Sequence, residues 1–443
     1  MSAHNRIQKT LIGASSHLTR RHSRTGARFL DFVIPPLFGN SLLSDTAAAR
    51  NRKIVRRIRS FRRILVLPDI HIGDAVMTQS TISALRDLFP GAEVDYVINQ
   101  TAFPLIEGNS EATRVLPLFR GGAFPSAALL EQLRELVNKG GYDLCLNHSP
   151  FIKDKDIAFP GMRILNFMTR APVIILQERF PGSVNHFIYH MYNFAYDLLA
   201  SMAPQARAKN FRKVRLSLSD SAVERARRFA TQAGLSPARP GIMINPDAAS
   251  PYSRLPFQQL VDLVGLLARL EVILLLGAGH TELRIGERIK AALPSGFQEK
   301  IKIIPADFPL EAYAALIDCC DVFISGDTGP LHIAAARKIS RTGRYPLRNR
   351  TAVLSFFGAT PARLSGYDSG QPGFLAANQD APSWTFVSRS PCRNITCLDK
   401  LYKTCAVVRC FEGLDLEGMV ERAGSYVQAG ARRPAPASGR EAR

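Results

Sequence analysis

Two rounds of the same alternation constrain this chain more than any other feature. Short unbroken apolar runs recur, among them "RRILVLP" (62–68), "EVDYVIN" (93–99), "YDLCLNH" (142–148), "GIMINP" (241–246), "EVILLLGAG" (271–279), "IKIIP" (301–305), "DVFISGD" (321–327) and "TAVLSFFG" (351–358). Runs of this kind mark strands buried on both faces of a parallel sheet. Between them lie segments with helical spacing, such as Val76, Ile82, Leu85 and Leu88 before Pro90-Gly91, or "PFQQLVDLVGLLARL" (256–270). Strand and helix in alternation predict doubly wound α/β domains. The pattern stops near "HFIYHMYNFAYDLLASMA" (186–203) and restarts at "GIMINP". We therefore expect an N-terminal Rossmann-like domain over 62–205, an inter-domain segment over 206–239 and a C-terminal Rossmann-like domain over 240–428. A Pro/Ala/Gly-rich tail at 429–443 is expected to be disordered.

The charge is the other constraint. The net charge is +20, and much of the excess lies in 1–61, in "TRRHSRTGAR" and "RNRKIVRRIRSFRR". This leader is read as partly disordered or lying on a membrane surface, because Ile54, Val55, Ile58 and Phe61 interleave with the cations at helical spacing. A solvated tail, a nucleic-acid surface and an anionic substrate are the alternatives. No apolar run reaches the roughly 18 residues of a membrane span, and Phe29–Leu43 is broken by Asp31 and Pro35-Pro36 and has no signal-peptide cleavage pattern. Of the seven cysteines, Cys145, Cys319 and Cys320 stand in apolar contexts and are expected to be buried. Cys392, Cys397, Cys405 and Cys410 are separated by four, seven and four residues, which is not the tight pairing of common zinc sites.

Two acidic turns carry candidate chemistry. "GDTGPLHIAAA" (326–336) contains the Asp-Thr-Gly of aspartic proteases. That chemistry needs an all-β fold and a second aspartate sharing a proton, and here the single copy sits between a strand and a helix. As a strand-to-helix turn it offers backbone N–H groups at Thr328 and Gly329, with Pro330 suited to the first helical position and Asp327 placed to cap the helix or hold a ligand hydroxyl. Such a turn receives phosphate, and it is also an ordinary cap. "HIGDAV" (71–76) follows the first strand, where open α/β sheets bind ligands; there Asp74, beside Gly73 and His71, is a candidate proton acceptor or a plain helix cap.

Taken together, the segments resemble the lipopolysaccharide heptosyltransferases, glycosyltransferase family 9. The opening "ILVLPDIHIGDAVMTQSTISALRDLFPGAEVDYVIN" is similar to the family's strand, Ile-Gly-Asp loop, helix and Phe-Pro-Gly-Ala-Glu sequence. "MINPDAASPYSRLPFQQLVDLV" is similar to its Asn-Pro-Gly-Ala segment, "LLLGAGHTE" to its glycine turn, and Asp327-Thr328-Gly329-Pro330 with His332 to its second mark. The resemblance covers roughly 62–430.

It implies a GT-B fold, two Rossmann-like doubly wound domains facing a cleft, and inverting transfer of a sugar without a metal or other cofactor. By position, Asp74 becomes the general base, with His71 and Gly73 in the acceptor-side loop. Donor binding falls to Asp327, Thr328, Gly329, Pro330, His332, Arg254, Ser250, Glu282 and Gly277. The implied partners are a nucleotide-diphosphate sugar, with ADP favoured, and an anionic lipid-linked saccharide such as lipopolysaccharide core. The basic leader would hold the enzyme on an anionic membrane, at the cytoplasmic face of the bacterial plasma membrane, with no nucleic acid expected. The departures are Ser253 in place of a lysine, with Arg254 as the neighbouring cation, Leu255 in place of a tryptophan, Asp247 in place of a glycine, Pro68 in place of a basic residue, and a long "RKISRTGRYPLRN" link. A catalytically degenerate member acting as a basic adaptor on membrane or nucleic acid is the alternative; a sugar-nucleotide epimerase has other motifs.

Overall fold

The computed structural model describes residues 56, 58, 61–67, 71–108, 111–119, 127–148, 173–176, 187–203, 205–248, 253–279, 283–358, 360–369, 381–390 and 409–431. The chain divides into two compact units, Met1–Arg212 and Lys213–Arg443.

The first unit holds β1 (Arg63–Val66), α1 (Ile72–Leu88), β2 (Glu93–Asn99), β3 (Arg114–Phe119), α2 (Ala127–Gly140), β4 (Leu144–His148), β5 (Val173–Leu176) and α3 (Phe187–Leu199). All strand pairs are parallel, in the order β3-β2-β1-β4-β5. Central β1 buries Ile64, Leu65 and Val66 completely, as expected for a strand covered on both faces. Helix α1 is apolar or small nearly all round, and its polar side chains are buried too. The reason is α3, which packs along it: Ala84 meets Tyr192 and Ala195, and Thr81 Oγ1 donates to the Met191 carbonyl at 3.5 Å. Buried Asp87 accepts from Tyr192 and from Arg212 (2.8 Å), so the inward polar edge of α1 is satisfied. At the leader's end, Ile58 is buried and Phe61 stacks on Phe89 at 4.4 Å, so these two of the four interleaved apolar residues contribute to this unit.

The second unit holds β6 (Arg215–Leu218), α4 (Asp220–Ala233), β7 (Gly241–Asn245), α5 (Phe257–Leu267), β8 (Ile273–Gly277), α6 (Ile285–Ala292), β9 (Ile301–Ile304), α7 (Leu310–Ile317), β10 (Val322–Gly326), α8 (Gly329–Ala335), β11 (Arg337–Ser340), β12 (Ala352–Phe357), β13 (Ser383–Val387) and α9 (Leu416–Ala431). Its main sheet is parallel, ordered β13-β12-β10-β7-β8-β9. Ile242, Ile244, Leu274 and Leu276 form one continuous core with Leu263, Val264 and Leu267 of α5 and with Met419 and Ala423 of α9. A fully buried leucine in such a core contributes about 1.5–3 kcal/mol by burial. The segment expected to link the halves, 206–239, carries β6 and α4. The long basic link forms β11, which pairs in parallel with β6 (Arg337 opposite Arg215).

Among the described residues no helix is long and apolar enough to cross a membrane. Cys145 and Cys320 are fully buried, Cys319 is half-buried and Cys410 is buried against the C-terminal core; Cys392, Cys397 and Cys405 lie outside the described residues.

Candidate functional site

Each sheet reverses its winding direction between two central strands, β1 and β4 in one and β7 and β10 in the other. At such a point the loops leaving the carboxyl ends diverge and leave room for a ligand. The candidate residues lie at these two places, one in each unit.

In the first unit β1 continues to Leu67, whose N–H donates to the Leu146 carbonyl at 2.7 Å, and the chain re-enters at His71, the N-cap of α1. His71 is exposed and Gly73 buried. Asp74 falls in the first turn of α1 with only 5% of its surface exposed. Its carboxyl is thus held beside the switch point, at the positive end of the helix dipole.

The second unit supplies a denser site. Asn245 at the end of β7 and Ser325 on β10 are partners in register. The Asn245 amide donates to Ser325 Oγ (3.1 Å), Thr328 Oγ1 (3.3 Å) and the Asp247 carbonyl (2.9 Å), and Ser325 Oγ lies 2.9 Å from Thr328 Oγ1. Thr328 is the N-cap of α8 in extended conformation, and its hydroxyl serves this lateral network instead of capping the helix. Gly329 therefore takes the first helical position, and Pro330 follows it within the first turn.

Behind the turn lies a polar cluster. Burial pushes the Asp327 carboxyl above the usual carboxylate range, against the opposing effect of the Ser365 and Thr360 hydroxyls. Tyr367 is buried and pushed far up, by burial and by the Asp327 charge, and its hydroxyl lies 2.7 Å from His332 Nδ1. Asp327 and His332 thus both meet the segment after β12, an arrangement that braces the turn from inside.

On the other flank, a Cβ on Gly326 would collide with the Ser253 carbonyl oxygen, so the 253–254 backbone is pressed against the base of the turn. This brings Arg254 to the site. Its Nη2 pairs ionically with Asp247 Oδ1 at 2.6 Å and donates to the Ala248 carbonyl at 2.9 Å. Gly277 ends β8, and a Cβ there would sit 3.3 Å from Pro246 Cδ. Gly279, at φ +78°, lets the chain turn beside the Asp247 carboxylate. Ser250 and Glu282 lie outside the described residues. Asn245, Ser325, Thr360, Ser365 and Tyr367 are absent from the sequence-derived candidates. Asn245 and Ser325 had position as their signal, at the carboxyl ends of the strands flanking the switch point, whereas Thr360, Ser365 and Tyr367 come from the segment after β12.

The chain is similar to several known proteins. Residues 169–343 match the family model of glycosyltransferase family 9 (heptosyltransferase). The chain is 24% identical over 302 residues to lipopolysaccharide heptosyltransferase 3 of Escherichia coli, covering 65% of this chain and 81% of that one. A shorter match, 33% identical over 135 residues, covers 30% of this chain and 38% of a Haemophilus influenzae protein with a glycosyltransferase name. Among solved structures, E. coli ADP-heptose LPS heptosyltransferase II superposes with a TM-score of 0.58 at 16% identity, over 83% of this chain and 99% of that one. The chain thus carries a glycosyltransferase family 9 match over residues 169–343 and has the GT-B fold of its solved neighbours.

Proposed function

We propose that this protein transfers a sugar, a heptose or a close relative, from a nucleotide-diphosphate donor to an anionic, lipid-anchored saccharide of the lipopolysaccharide-core type. The observation that carries this reading is the convergence of Asn245, Ser325, Thr328 and Arg254 at the switch point of the second sheet, a set of donors suited to a diphosphate. The likeness to an E. coli enzyme named for ADP-heptose favours an ADP-sugar.

In the proposed inverting, metal-independent reaction, Asp74 takes the proton from the acceptor hydroxyl as its oxygen attacks the anomeric carbon. The bond from that carbon to the diphosphate oxygen breaks on the opposite side. Arg254 and the backbone amides of Thr328 and Gly329 stabilise the charge that grows on the departing nucleoside diphosphate. Asp327 serves as an anchor at the base of the turn, near the Ser365 and Thr360 hydroxyls.

A thermal-shift screen of ADP-, GDP-, UDP- and CMP-sugars, followed by turnover with a delipidated core acceptor, tests the reading. Stabilisation by one nucleotide-sugar and transfer from it are expected. Binding of none, together with salt-sensitive binding to RNA, would favour a catalytically degenerate adaptor.

The basic leader is proposed to hold the enzyme on anionic lipid at the cytoplasmic face of the membrane, at about 1 kcal/mol per well-placed cation. Deleting residues 1–55 leaves Ile58 and Phe61 in place, so it should reduce vesicle binding while sparing turnover of a soluble acceptor. Undiminished vesicle binding would refute this role.

A further inference from the structure

We propose that Asp247 is a positioning residue for Arg254, and that the two act as one unit gripping the donor diphosphate; this rests on the donor-site reading above. Asp247 is itself fixed. Its Oδ1 accepts from the Ala248 N–H at 2.8 Å, and its carboxylate lies against the space where a Cβ of Gly279 would stand, 3.1 Å from Oδ2. The same Oδ1 forms an ion pair with Nη2 of Arg254, and the Ala248 carbonyl accepts a hydrogen bond from that nitrogen. One corner of the guanidinium is therefore clamped by a rigid turn, while Nε is buried with no acceptor among the described residues.

A planar group held at one corner has a defined orientation, and its Nη1 keeps two N–H donors in fixed directions. Such donors suit phosphate oxygens, which accept charge-assisted hydrogen bonds. The Ser253 carbonyl pressed on Gly326 holds the adjoining Arg254 backbone beside the base of the Asp327–Thr328 turn. A carboxylate near an anion site would ordinarily oppose binding. Here its service to Arg254 is expected to outweigh that repulsion, because removing it frees the guanidinium to rotate away.

The experiment is a double-mutant cycle read by calorimetry on the full chain. ADP, GDP, UDP and CDP are titrated first, and the tightest binder is carried forward with its monophosphate. Arg254→Ala should weaken the diphosphate by about tenfold or more and the monophosphate by less than about threefold. Asp247→Asn should weaken the diphosphate about three- to tenfold when Arg254 is present, and change it by less than about twofold when Arg254 is alanine. Asp247→Ser replaces Asp247→Asn should the latter prove insoluble. Equal effects in both backgrounds, or tighter diphosphate binding without the carboxylate, would overturn the positioning role alone. Failure of the wild-type protein to bind any nucleoside diphosphate would overturn the donor reading and this inference with it.

Discussion

The two units wind their sheets alike yet furnish their switch points differently. In both, three strands run one way from the centre (β1, β2, β3 and β7, β8, β9) before the chain returns to the other side. Among the described residues, the first unit places the buried carboxyl of Asp74 in the opening turn of a helix at its switch point. The second surrounds its turn with hydroxyls, an amide, a phenol, an imidazole and a guanidinium. The common topology decides where a ligand is received, and the first residues after each strand decide what is done with it. Under the proposed function, one half moves a proton and the other holds charge.

The sharpest way to separate these roles is Asp74→Asn. Transfer should fall by about 10²–10⁴-fold, the usual contribution of a general base, while donor affinity stays within a few-fold. Steady-state kinetics beside donor titration checks this, and retained activity would remove the assignment. Next in size is Gly326→Ala. The new methyl meets the Ser253 carbonyl and, at 2.7 Å, the Phe356 ring, so the loop carrying Arg254 must shift. Donor binding should weaken by about tenfold and stability fall by about 1–3 kcal/mol, seen by titration and denaturant melts. Asp327→Asn addresses the bracing cluster through pH. A carboxyl whose folded pKa is raised adds stability fully below its unfolded pKa, and that stability is lost as pH rises through the raised value. Melting temperatures compared from about pH 4 to 7 should therefore drift in favour of the variant as pH increases. A constant difference would show that the carboxyl is not desolvated. The smallest effect is expected from Tyr192→Phe, which deletes one donor to Asp87 while Arg212 remains. About 1 kcal/mol of stability should be lost with donor affinity unchanged.

Much of the architecture was legible because buried parallel strands write themselves as unbroken apolar runs, as in "ILVL" and "EVILLLG". Thr328 and Arg254 were legible from the motifs around them, and the structure brings both to one strand-end site. Pro330 was expected at the first helical position and stands at the second, because Thr328 is the N-cap. Tyr367, Thr360 and Ser365 were not legible, because they reach Asp327 and His332 from a distant segment and no local periodicity encodes that approach. Asp247 stood out in the sequence as a misplaced acid. Only the 2.6 Å contact with Arg254 gives it a partner.

The strand β11 carries a last consequence. In the sequence, "RKISRTGRYPLRNR" has the look of an open invitation to trypsin. Yet Lys338 is fully buried, its Nζ 3.0 Å from Asp318 Oδ1, and its own backbone N–H and carbonyl are both bonded to the Asn349 side chain. A protease must draw several residues out in extended form, and here that means breaking a parallel pairing with β6 and exposing a buried charge. Trypsin is therefore expected to pass over Lys338 and Arg341, whose N–H is bonded to the Leu218 carbonyl, and to cut at the exposed arginines 344 and 348, so that this run resists at its start and yields at its end.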